Sequence, residues 1–102
     1  MNWYDKEGKV MPKDDYKLIE ERLSDMKYKR VAETILADGK RVSTVWLGLD
    51  HNFGFNGPPI IFETMVFPAD GAYMELDCNR YSTLAEAQTG HWDMVKKWTT
   101  QE

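Results

Sequence analysis

The strongest constraint in this chain is a pair of β-prone runs split by Asp38-Gly39. Both residues tolerate positive φ, so the dipeptide can reverse the chain tightly and pair residues 28–36 with residues 41–49 as a hairpin. The second run is rich in β-branched side chains, Val42, Thr44 and Val45, which fit a pleated surface. A third run, residues 60–67, is opened by Pro58-Pro59 and closed by Pro68. The Asp70-Gly71 turn leads into a weaker fourth strand over residues 73–80. In the second and third runs apolar side chains fall at both parities, so both faces of the sheet are expected to be partly covered.

Helices flank these strands. Pro12 suits a first helical turn and Asp14 and Asp15 complement the helix dipole. Tyr16, Ile19, Leu23 and Met26 then share one face, which predicts a helix over residues 13–25. At the other end Thr83-Leu84-Ala85-Glu86 fits a capping box. The stripe that follows is Leu84, Ala87, His91, Met94, Val95 and Trp98. Ahead of the first helix, residues 5–9 read as a turn between Trp3-Tyr4 and Val10-Met11, a small hairpin. The expected fold is a small single α+β domain over residues 1–102. It has an antiparallel three- to four-stranded sheet with an N-terminal and a C-terminal helix, in the order α-β-β-β-β-α. One helix alone would not cover two faces, which leaves the second helix, the N-terminal segment or a second subunit to do so, and a homodimer across a two-fold axis is one such cover.

Composition bounds the function. The net charge of −4 argues against a nonspecific nucleic-acid binder, which needs concentrated positive charge. No run approaches the ~20 apolar residues of a membrane span. The single cysteine, Cys78, cannot form an internal disulfide, which fits a reducing compartment, and cytoplasm is the expected location. Four Trp, five Tyr and four Phe in 102 residues supply a rich core, with one or two rings left for contacts.

Val42-Ser43-Thr44-Val45-Trp46-Leu47-Gly48-Leu49-Asp50-His51, then Phe53-Gly54, Gly57-Pro58-Pro59 and Ile61-Phe62-Glu63-Thr64-Met65-Val66-Phe67 form a long pattern. With Trp3-Tyr4-Asp5, Gly8, Arg80-Tyr81-Ser82-Thr83, Glu86-Ala87, Gly90-His91 and Met94-Val95, it resembles a family of small uncharacterised proteins encoded by bacteriophages and prophages. One departure is Phe55-Asn56, where the pattern carries a tighter glycine-rich run. The resemblance implies a phage or prophage origin and a role in the host cytoplasm. It implies no reaction.

The segment of residues 50–59 is the candidate site, because it is longer than a hairpin between adjacent strands requires. Asp50 and His51, with Glu63 returning along the next strand, could form a metal site or a general-base pair. Each also has a structural role available: Asp50 as a turn cap, His51 bonded within its loop, Glu63 paired with Arg80 or Lys29. Trp46, His51, Asn52, Phe53 and Phe55 are the candidate contact residues. His91 lies on the apolar stripe of the second helix, which favours a satisfied core histidine. Asp77 beside Cys78 would raise the thiol's pKa, the wrong direction for a nucleophile. No phosphate-binding, zinc-protease, CxxC or serine-hydrolase motif is present. Two functions follow. One is a binding protein that captures or inhibits a host protein or a small signalling ligand, as an anti-defence factor would, with no cofactor or metal expected. The other is a small metal-dependent hydrolase or nuclease using Asp50, His51 and Glu63.

Overall fold

A computed structural model describes residues 2–52 and 56–99. Its first helix, α1 (Tyr16–Ser24), begins later than the apolar pattern implies, because Asp15 caps it: the carboxylate accepts from the Leu18 amide at 3.1 Å. The expected stripe is corrected as well. Ile19 is buried and Leu23 half-buried, but Tyr16 is 72% and Met26 54% exposed, and Leu18 takes part in the packing instead. Asp25 then ends α1 and starts a single turn, α2 (Met26–Lys29), by accepting from the Lys27 and Tyr28 amides. Two residues expected in the first strand, Tyr28 and Lys29, therefore belong to a helical turn. Local side-chain capping outcompetes their β-propensity here.

The strands are β1 (Arg30–Ile35), β2 (Arg41–Trp46), β3 (Phe62–Phe67) and β4 (Asp77–Tyr81), followed by α3 (Leu84–Thr99). They form one antiparallel sheet in the order β1-β2-β3-β4. The β1–β2 connection closes with Leu36 N–H on the Lys40 carbonyl and Gly39 N–H on the Leu36 carbonyl. This is a three-residue loop with glycine at the left-handed position. The N-cap expected at α3 is present: the Thr83 hydroxyl accepts from the Glu86 amide at 3.1 Å, and it is this hydroxyl, not the Thr83 amide, that donates to the Glu86 carboxylate. Such a cap contributes about 1 kcal/mol. β4 starts four residues later than its apolar content implies. Val66 pairs with Asp77 near the end of β3, so the residues before Leu76 run past their partner strand.

Register decides which side chains share a face. Val42, Thr44 and Trp46 of β2 lie opposite Val66, Thr64 and Phe62 of β3, and all six are fully buried. α3 packs on all four strands and α2 on β1 and β2, while α1 lies beside α2 and reaches the core through Ile19. Tyr28 of α2 meets Trp46 edge-on at 5.1 Å, so the helices gather on the same side of the sheet. One core joins Met11, Ile19, Trp46, Ile61, Phe62 and Ala87, and a second joins Leu36, Val42, Val66 and Met94. The alternate residues, Arg41, Ser43 and Val45 with Glu63, Met65 and Phe67, form the other face. Among the described residues no helix covers that face, so the second helix is not the cover that the two-parity pattern left open. Its side chains engage one another: Arg41 lies over Phe67 at 4.5 Å and near Glu33, and Arg80 pairs with Glu63.

The N-terminal hairpin is formed as expected. Tyr4 bridges Val10, and Met11 N–H donates to the Trp3 carbonyl. Trp3 also bridges Leu49, beyond the end of β2. Gly48 makes this possible. Its φ is +80°, and a β-carbon there would collide with the rings of Trp46 and Trp3.

Candidate functional site

The connection from β2 to β3 was the place where sequence put chemistry, and the structure puts its polar groups to structural use. Asp50 Oδ1 accepts from the amides of Asn52 at 2.7 Å and Ile60 at 2.9 Å. His51 donates its amide to the Ile60 carbonyl, and its Nδ1 lies 2.7 Å from the Leu49 carbonyl, so Nδ1–H is the donor. Asn52 is buried and donates its side-chain amide to the Pro58 carbonyl at 3.0 Å. These bonds clamp the two ends of the connection together. Phe53 and Phe55, expected as contact anchors, lie outside the described residues.

Trp46 is corrected from contact anchor to core. It is fully buried, and its indole N–H donates to the Tyr4 carbonyl at 2.9 Å. A ring with no exposed surface offers nothing to a partner. Glu63 does not join Asp50 and His51. It points from β3 to the helix-free face, 7% exposed, where Arg80 Nε donates to it at 2.8 Å. Among the described residues, no three His, Cys, Asp or Glu side chains converge to hold a metal ion. Cys78 lies on the same face with its sulfur 3.5 Å from Glu63. Although the residue is exposed overall, burial of the sulfur and then the Glu63 carboxylate push the thiol up to about 11. The thiolate, the reactive form, is scarce at neutral pH.

His91 occupies a different setting, at the centre of a buried hydrogen-bond chain beneath α3. Its Nε2 meets Thr34 Oγ1 at 2.9 Å and its Nδ1 meets Thr44 Oγ1 at 2.7 Å. Thr44 in turn bonds Thr64 across the β2–β3 register at 2.5 Å. Because a hydroxyl both donates and accepts, the chain serves either imidazole tautomer. His91, Thr44 and Thr64 are all fully buried, and burial lowers the histidine's pKa from its ordinary value. At neutral pH the ring is uncharged and satisfied, with no exposed atom to offer a substrate.

The surface that remains available lies along β4. β4 is an edge strand, and a groove of about 690 Å³ separates it from α3. Asp77, Asn79 and Tyr81 form one wall, and Glu86, Thr89 and Asp93 belong to the other. The wall holds together because Asp77 accepts from Lys97 at 2.7 Å and from the Trp98 indole at 3.0 Å, which keeps its carboxyl below the usual carboxylate range. Gly90 lets the Tyr81 ring lie against α3 where any β-carbon would collide with it. The Tyr81 hydroxyl is buried without a hydrogen-bond partner of good geometry, and burial raises its pKa. Residues 73–76 lead into this groove. Tyr73 is 97%, Met74 82% and Leu76 44% exposed.

Sequence reasoning missed this surface because residues 73–76 read as part of a strand. The available signal was their position after Asp70-Gly71 with no apolar alternation to match a partner. The fold and its surface define a small α+β domain with an open sheet edge and an exposed apolar approach to it. Comparison with protein-family models, with curated proteins and with solved structures returned no match. No helix of the described residues is long and apolar enough to cross a membrane.

Proposed function

We propose that this chain is a small phage- or prophage-type accessory protein that acts by binding. It captures a host protein through the surface made by residues 73–76 and the adjoining β4–α3 groove. The phage assignment rests on the sequence resemblance. The binding assignment rests on one observation: three large apolar side chains, Tyr73, Met74 and Leu76, stand in solvent next to an open groove. Contiguous exposed apolar groups of this kind mark interaction sites, and Tyr and Met are enriched in interface cores. The alternative, a metal-dependent hydrolase built on Asp50, His51 and Glu63, is not favoured, since Asp50 is engaged by two amides and Glu63 by Arg80.

The test is retention of proteins from a bacterial lysate on the immobilised chain and on a Tyr73→Ser/Met74→Ser variant of equal thermal stability. A protein held by the native chain and absent from the variant supports the proposal. Identical sets from both remove this surface from consideration.

A further inference from the structure

We infer that the β4–α3 groove takes an extended peptide segment carrying Lys or Arg side chains, which adds to the sheet as a fifth strand along β4. This rests on the binding reading above and names the chemistry of the segment bound. Three observations carry it.

First, β4 is a sheet edge with replaceable cover. The amides of Cys78 and Arg80 donate to the side chains of the residues just before them, Asp77 Oδ1 at 2.9 Å and Asn79 Oδ1 at 3.0 Å. Alternate amides of an antiparallel strand face opposite sides, and these two are the ones turned away from β3. A bond to one's own neighbour's side chain is local, so an incoming carbonyl can take its place without disturbing the ladder. Strand addition to such an edge supplies affinity through main-chain bonds, and pockets for alternate side chains supply specificity.

Second, the groove has room for the side chains of such a segment. Its volume of about 690 Å³ falls within the ~300–1,000 Å³ of ligand clefts. Asp77, Cys78, Asn79 and Tyr81 of β4 line it, so a segment laid along that strand has α3 as its second wall. Alternate side chains of that segment point into the groove.

Third, the groove's charge selects the occupant. Asp77, Glu86 and Asp93 line it against one base, Lys97, which is held by Asp77. That leaves Asp93 and Glu86, one oxygen of which also accepts from the Thr83 hydroxyl, to face the occupant, two helical turns apart on α3, a separation of about 10 Å. Inward-facing residues of a strand recur about every 7 Å, so long basic side chains two or four residues apart reach both acids. A second copy of this chain is a poorer occupant. Pairing β4 with itself would bring the acids of two chains of net charge −4 together.

The test pans a randomised linear heptapeptide library against the native chain and against a Glu86→Gln/Asp93→Asn variant. Glu86→Gln keeps an oxygen to accept from the Thr83 hydroxyl, and equal thermal stability of the two proteins confirms folding. The selected peptide is then titrated into ¹⁵N-labelled protein. The expected result is enrichment of Lys or Arg at alternate positions and at least tenfold weaker binding to the variant. Amide shifts should be largest at Cys78, Arg80 and the 86–93 segment of α3. Acidic or uncharged winners would overturn the inference. So would equal affinity for the variant, no enrichment at all, or shifts confined to residues 73–76. A concentration-dependent dimer with shifts along β4 would assign the edge to a second copy instead. If the native chain still retains a lysate protein through Tyr73 and Met74 while the peptide result fails, the groove inference alone falls.

Discussion

The connection from β2 to β3 (residues 47–61) and the connection from β3 to β4 (residues 68–76) both join neighbouring strands over more residues than a hairpin needs. The first carries Asp50, His51 and Asn52, the side chains most associated with chemistry, and turns each inward to bond backbone groups of the same loop. The second carries Tyr73, Met74 and Leu76, residues most associated with cores, and leaves them in solvent. A residue's type states what it can do, while its partners state what it is doing. A carboxylate that already holds two amides is a structural strut. A tyrosine with nothing packed on it is the open group.

Four measurements can break or sharpen this contrast. The largest effect is expected at the base of the closed connection. Trp46→Ala should cost about 3–5 kcal/mol in urea denaturation, the range for removing a buried large aromatic. A loss below about 1 kcal/mol would show that Trp46 is not the core residue described here. Asp50→Ala comes next, at about 2–4 kcal/mol, because two amides lose a charged acceptor together. Partner capture by the folded fraction should be unchanged. Intact stability with abolished capture would invert the comparison and return the site to the 47–61 connection.

The third concerns His91 and pH. Burial holds its folded pKa below the unfolded value near 6.5. Its contribution is therefore complete above pH 6.5 and is lost as pH falls towards the folded value, since the unfolded chain binds the proton more readily. The stability advantage of the native chain over His91→Gln should hold above pH 6.5 and shrink between pH 6.5 and pH 5. An advantage constant across that range would mean the ring charges freely within the fold. The smallest effect on stability is expected for Tyr73→Ser/Met74→Ser, within about 0.5 kcal/mol, as for surface changes generally. A cost above 1 kcal/mol by thermal or urea unfolding would show that these side chains pack in solution.

Much of the fold could be read from local pattern. The β1–β2 hairpin is written in Asp38-Gly39, the start of α3 in Thr83 and Glu86, and the stripe of α3 in Ala87, His91 and Met94, because each depends on residues a few positions apart. Boundaries moved where a short-range competitor went unrecognised: Asp15 and Asp25 capping helices, and β4 shortened by the end of β3. The candidate site was less legible. Asp50 as a turn cap, Glu63 paired with Arg80 and His91 as a satisfied core residue were among the alternatives open from sequence, and these are the roles they take. The groove was invisible, since β4 and α3 form it only after the strand order makes β4 an edge.

By itself the sequence determined the order of elements, the position of the turns and the residues able to line an apolar face, because periodicity and capping act over one or two turns of chain. Only the tertiary structure decided which apolar residues are covered and which polar residues are spent. Trp46 and Tyr73 are both large aromatics, and nothing in their immediate neighbours states that one is fully buried and the other 97% exposed. Exposure depends on strand register and on where a partner strand ends, and those are set by contacts between residues distant along the chain.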